Sequence, residues 1–154
     1  MVDDLLEIAR HLANANPNGK PKQAYLKRAV STAYYALFHA MARATADVML
    51  GSAKKNRPDR AWVQLYRGLD HGTAKSACEA ARNIGFPNPI KECADAFVEL
   101  QKARHDADYD PSYRLSRAEV IALIDKSESA IKKLRAAPPL DRAAFGVQLV
   151  IKKR

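Results

Sequence analysis

Residues 22–50 run without a glycine or a proline and are rich in alanine and leucine. That constrains the chain more than any other stretch. Alanine and leucine lose little on entering a helix, and nothing within the segment breaks one. The spacing therefore predicts one long helix from Lys22 to Leu50. It is set off by Asn-Pro-Asn-Gly at 16–19 and by Gly51-Ser52, both strong breaks. The rest of the chain follows the same period. Leu5, Ile8, Ala9 and Leu12 mark a helix over 2–15, with Asp3 and Asp4 suited to its positive end. Trp62, Leu65, Tyr66 and Leu69 mark a short helix over 59–69. His71-Gly72 reads as a turn, with Thr73 as the cap of a helix running to Asn83. Gly85-Phe-Pro-Asn-Pro89 breaks the chain again. Residues 90–108 form a further helix, stopped by Asp110-Pro111.

Ser116-Arg-Ala-Glu119 has the pattern of a capping box. It opens a helix to Ala136 with Val120, Leu123, Ile124, Ile131 and Leu134 inward. Pro138-Pro139 separates a last element over 140–151. That element carries Leu140, Phe145, Val147, Leu149, Val150 and Ile151, too much apolar surface for a free tail. The fold class expected is all-α, an up-and-down bundle of four to five main helices with short extra helices. Residues 1–137 would form the bundle. Residues 138–154 would be a basic extension, helical and docked on the domain or on a partner chain.

A chain of 154 residues is one domain by size. No apolar run of about 18 residues is present, so no membrane-spanning helix is expected. The opening Met-Val-Asp-Asp-Leu-Leu-Glu does not follow a secretory signal pattern, and the cytoplasm is the expected compartment. Cys78 and Cys93 lack the company of a zinc site and read as small hydrophobes. No metal and no cofactor is expected. None of the 6 glycines lies in a phosphate-loop or dinucleotide pattern. The net charge is +9. Lys54, Lys55, Arg57 and Arg60 supply one basic cluster. Lys132, Lys133, Arg135, Arg142, Lys152, Lys153 and Arg154 supply the other, against Asp141. Such surface attracts phosphates or simply keeps a protein dissolved. Trp62 and Tyr66, four apart beside the basic loop, suit core packing or base stacking.

Two polar segments stand out against this helical background. The first is Arg28-Ala-Val-Ser-Thr-Ala-Tyr-Tyr-Ala-Leu-Phe-His39, within the long helix. Arg28, Ser31, Tyr35 and His39 recur every three or four residues and share one face. The second is Arg104-His-Asp-Ala-Asp-Tyr-Asp-Pro111, at the end of a later helix. Arg104 and Asp108 stand at i and i+4, and His105, Asp106 and Tyr109 crowd around them. The plain account is a set of side chains hydrogen-bonded between helices, with a local ion pair worth about half a kcal/mol if exposed. The functional account is a cleft between the two helices. Arg104 would hold phosphate in its forked geometry, Asp108 would orient it, and Tyr109 and His105 would contact phosphate or transfer protons. Arg28, Tyr35 and His39 would form the facing wall.

Taken in order, Ala-Tyr-Tyr-Ala-Leu-Phe-His and Arg-His-x-Ala-Asp-Tyr-Asp resemble the HEPN family. The resemblance is to its small stand-alone bacterial members, of the toxin–antitoxin or nucleotidyltransferase-partner type, and covers residues 2–136. It implies a helical bundle that forms a homodimer, and in many relatives a metal-independent ribonuclease. The family motif is an Arg, four to six intervening residues and a His, one copy from each protomer meeting at the dimer cleft. Carried onto this chain the Arg is Arg104. The His position falls on Tyr109, Asp110 or Pro111, and no histidine stands there. Tyrosine, with an unperturbed pKa of about 10, is a poor base at neutral pH. Three readings stay open. One is a protein binding RNA or a nucleotide in the cleft, with metal-independent RNA cleavage in a toxin–antitoxin setting. Another is a non-catalytic homodimeric interaction module acting through a partner protein, such as a nucleotidyltransferase-type antitoxin. A basic tail acting as a nonspecific nucleic-acid arm is a third.

Overall fold

The computed structural model describes residues 1–152. Lys153 and Arg154, the last cations of the basic tail, lie outside the described residues. Among those described there are seven α-helices and no strand. They are α1 (Val2–Ala13), α2 (Gln23–Leu50), α3 (Asp59–Gly68), α4 (His71–Ala80), α5 (Asn88–Tyr109), α6 (Arg117–Ala136) and α7 (Pro139–Val150). Single 3-10 turns at Lys54–Asn56 and Ala81–Asn83 join their neighbours. The chain is an all-α bundle, and no helix is long and apolar enough to cross a membrane.

The long helix forms over the segment that lacks breakers, and it is the post of the molecule: α1, α3, α5, α6 and α7 all pack on α2. Its small residues explain how it serves so many neighbours. Ala29, Ala33, Ala36, Ala40, Ala42 and Ala46 are buried along it, and an alanine surface lets facing helices approach closely. Larger side chains fill the gaps between helices, among them Leu26, Leu37 and Met41 of α2, Phe97 and Leu100 of α5, and Ile124, Ile131 and Leu134 of α6. Cys78 and Cys93 belong to this core. Burial pushes the Cys93 thiol up to about 12, so it is a small apolar filler and not a thiolate.

The ends of the elements are held locally. Gly51 closes α2 with φ 97, in the left-handed region that a side chain disfavours. The capping box at Ser116 and Glu119 is formed in both directions. Gln23 clasps the backbone of Leu115 through both ends of its amide, at 2.8 and 3.0 Å, which ties the end of the α5–α6 loop to the start of α2.

The first helix stops at Ala13, two residues before the expected end, and both ends of α4 differ from the sequence expectation. His71-Gly72 is not a turn but the first turn of α4, and its cap is Asp70, whose Oδ1 accepts from the Thr73 amide at 2.8 Å. An aspartate caps better than a threonine at that position because its charge also meets the positive helix end. The segment to Asn83 is helical but tightens into a 3-10 turn after Ala80. The last helix docks on its own chain, against α2 and α4. Phe145 and Leu149 are buried, whereas Leu140, Val147 and Ile151 stay exposed.

Candidate functional site

The two polar segments meet. Arg104 Nη2 donates to the Tyr35 hydroxyl at 2.9 Å, joining α5 to α2. One turn along, the Ser31 hydroxyl donates to Asp108 Oδ1 at 2.7 Å. Asp108 Oδ2 lies 3.0 Å from Arg104 Nε, yet Nε is a buried donor without an aligned acceptor. The pair is a charge contact rather than a directed hydrogen bond. Arg104 therefore has one nitrogen on Tyr35, a carboxylate beside it, and its guanidinium carbon 5.6 and 5.5 Å from the Tyr34 and Tyr35 ring centroids.

α3 packs on α2 and α4 packs on α5, on either side of this pair. Their connection is short, so α4 starts beside α2 and α5. Gln101, one turn before Arg104, donates to the backbone oxygen of His71 at 3.1 Å. His71 then reaches inward, with Nδ1 2.6 Å from the Tyr34 hydroxyl and its ring stacked on Phe38 at 4.2 Å. On the other side His39 Nδ1 lies 2.6 Å from the Tyr66 hydroxyl of α3. Tyr66 stacks on Trp62 at 5.2 Å, and the Arg57 guanidinium covers Trp62 at 3.7 Å. Trp62 Nε1 donates to Asp47 at 2.9 Å. Trp62 and Tyr66 thus face α2 and hold the cluster together.

The result is a half-buried patch of two imidazoles and aromatic rings, with the Arg104 guanidinium at one side and that of Arg57 over Trp62 at the other. Burial lowers the affinity of both imidazoles for a proton, and the Arg104 charge adds to the effect at His71. Burial likewise pushes the Tyr34 and Tyr66 hydroxyls up, so both stay phenols. No group of three His, Cys, Asp or Glu side chains arranged for a metal ion occurs among the described residues.

The remaining expected residues lie apart from this centre. Arg28 is exposed, and its guanidinium makes no hydrogen bond among the described residues. Tyr109 is 65% exposed and packs on His105, with ring centroids 4.9 Å apart. Neither joins the Arg104–Tyr35 contact. The helix itself is the reason. Each residue turns about 100°, so His105 leaves the face of Arg104 at once, and Tyr109, one residue past Asp108, has swung to about 140° from it. His71 is the residue that sequence reasoning missed. The signal was present in Asp70-His-Gly-Thr73, where an aspartate three residues before a threonine marks a helix start. That would have placed His71 on an ordered first turn.

Comparison with protein families, curated proteins and solved structures finds no match for this chain.

Proposed function

We propose that the chain is a HEPN-like protein that binds RNA or a nucleotide at the Arg104–Tyr35 cleft, acts as a homodimer, and belongs to a toxin–antitoxin type of system. One observation carries this reading: a permanently charged guanidinium is held by a tyrosine 69 positions away, in a half-open patch of hydrogen-bonding groups. Arg104 supplies the cation for phosphate, Tyr35 and His39 line the wall opposite it, and Asp108 steadies Arg104 from one turn along. Tyr109 and His105, on the exposed end of α5, and Arg28, exposed on α2, stand outside the cleft, where they can meet only the flanks of a longer ligand. Metal-independent cleavage of RNA requires an acid, a base and a cation at such a place, with the 2′-hydroxyl as nucleophile.

The absence of a histidine at the motif spacing after Arg104 favours a second reading. In that reading the domain is a non-catalytic interaction module working through a partner such as a nucleotidyltransferase-type antitoxin. Incubation of mixed-sequence RNA with the purified protein in EDTA separates the two. Cleavage that disappears in Arg104→Ala, with the fold intact by circular dichroism, supports the nuclease. RNA or nucleotide binding without cleavage, lost in the same variant, supports a binding site alone. Binding unchanged by Arg104→Ala sinks the assignment of the cleft.

A further inference from the structure

His71 packs on Phe38 and meets the Tyr34 hydroxyl from the start of α4. The Tyr34 hydroxyl is fully buried, and His71 Nδ1 is its one hydrogen-bonding partner among the described residues. A buried phenol must place its proton on an acceptor. Tyr34 therefore donates and Nδ1 accepts. In the neutral ring the remaining proton then sits on Nε2. That Nε2–H makes no hydrogen bond among the described residues, and it is not one of the buried unpartnered atoms, so it opens to solvent.

A second free donor stands nearby. Tyr35 accepts from Arg104 through its oxygen, which leaves its own hydroxyl proton unused. The His71 ring lies 5.6 Å from the Tyr34 ring and 6.0 Å from the Tyr35 ring. Those are the two rings that the Arg104 guanidinium also flanks. The Arg104 charge is felt at the imidazole. Gln101 pins the start of α4 to α5 one turn from Arg104. Two neutral donors and a cation therefore share one patch, and both carboxylates near it are engaged: Asp108 by Ser31 and Arg104, and Asp70 by the Thr73 amide and hydroxyl.

We propose that His71 is a ligand-contacting residue: its Nε2–H, the Tyr35 hydroxyl and the Arg104 guanidinium form a three-donor receptor for one phosphate group, and Tyr34 sets the imidazole tautomer from inside the core. This rests on the reading of the cleft as an RNA or nucleotide site, and it gives that site an imidazole the motif after Arg104 lacks. It also assigns the imidazole a role. With its free edge protonated, the resting ring gives a hydrogen bond to an anionic oxygen and offers no lone pair to a 2′-hydroxyl. Tyr34 is a positioning residue and touches no ligand.

The test uses fluorescence polarisation with two probes, a short labelled single-stranded RNA and labelled ATP. Binding of the first identifies a phosphodiester ligand, and binding of the second alone identifies a free nucleotide. A glutamine amide nitrogen stands near the place of Nε2, whereas an asparagine amide reaches only the place of Nδ1. His71→Gln should bind within about threefold of the wild type. His71→Asn should weaken by about tenfold or more, the value of one hydrogen bond to a charged group. Equal affinities for the Gln and Asn variants overturn the proposal. If Arg104→Ala abolishes binding while both His71 variants bind like the wild type, the cleft reading survives and the role of His71 does not. If neither probe binds the wild type, both fall together. Ring nitrogen chemical shifts give an independent readout. The His71 ring should be the Nε2–H tautomer in the wild type and a mixture in Tyr34→Phe. A wild-type ring protonated on Nδ1 overturns the proposal whatever the affinities.

Discussion

A phenol hydroxyl bonded to an imidazole occurs twice in this molecule, at Tyr34–His71 and Tyr66–His39, both at 2.6 Å. Each arrangement leaves a neutral ring half out of water, and that has a consequence for stability. Burial holds the proton affinity of both rings below the ordinary imidazole range. In the window just below a pH of about 6.5 the unfolded chain therefore binds more protons than the folded one. Stability rises with pH through that window and is lost as the pH falls through it. Asp70 and Arg104 pull His71 in opposite directions, and burial remains the larger cause. The melting temperature should fall between about pH 7.5 and about pH 5.5. It should fall less in a His39→Gln, His71→Gln double variant. An identical drop in wild type and variant, by calorimetry, would show that these rings are not the source.

Elements meet in this fold through small residues, and α7 shows how far that goes. A β-carbon at Gly146 would stand 3.0 Å from Thr45 Cγ2 and 3.2 Å from Met49 Cε. The Thr45 hydroxyl is itself bonded to the Met41 carbonyl at 2.8 Å, so its side chain has little freedom to yield. Gly146 lets α7 lie close on α2 and bring Phe145 and Leu149 into the core. Gly146→Val should destabilise the protein by about 1–3 kcal/mol, the cost of overpacking a close contact, measured by urea unfolding. A midpoint equal to wild type would mean that α7 does not sit on Thr45 in solution. The element was anticipated from its apolar content, but which face docks was not. Only Phe145 and Leu149 point inward strongly, and the exposed Leu140, Val147 and Ile151 obscured the period.

For the whole molecule the excess of cations is less free than the count suggests. Arg135 pairs with Asp3 at 3.0 Å and Lys133 with Glu92 at 2.6 Å. Arg142 donates to the carbonyls of Arg135 and Ala137 at 3.0 and 2.7 Å. These residues stitch α6 and α7 to the bundle, so the basic tail is largely part of the structure. Deleting residues 138–154 would also strip Phe145 and Leu149 from the core and would confound loss of charge with loss of fold. Replacing Lys152, Lys153 and Arg154 by serine is the cleaner test of a tail acting as an arm. With a net charge of +9, RNA affinity should fall steeply as salt rises from about 50 to about 200 mM. Arg104→Ala should lower the slope of log affinity against log salt by about one. A slope unchanged by Arg104→Ala but flattened by the three serine substitutions would move the phosphate contacts from the cleft to the tail.

Much of this was written in local pattern. A breaker-free run of alanine and leucine makes α2, a capping box starts α6, and paired prolines separate α7. Each is a matter of neighbours a few residues apart, where backbone sterics and helical period act directly. The meeting of Tyr35 with Arg104, and of Ser31 with Asp108, was legible too, because two polar stripes on apolar helices must find partners and each other is the nearest supply. His71 was not legible in the same way. Its place depends on Asp70 capping α4, on Gln101 holding that helix start, and on Phe38 and Tyr34 receiving the ring, contacts spread over α2, α4 and α5. Helical spacing after Arg104 already turns His105 and Tyr109 away from its face, but spacing could not tell that an imidazole from another helix would turn in. Sequence alone determined which segments are helical and which faces are polar. Tertiary packing decided which polar groups share the cleft, because that depends on how α3 and α4 fold back over α2.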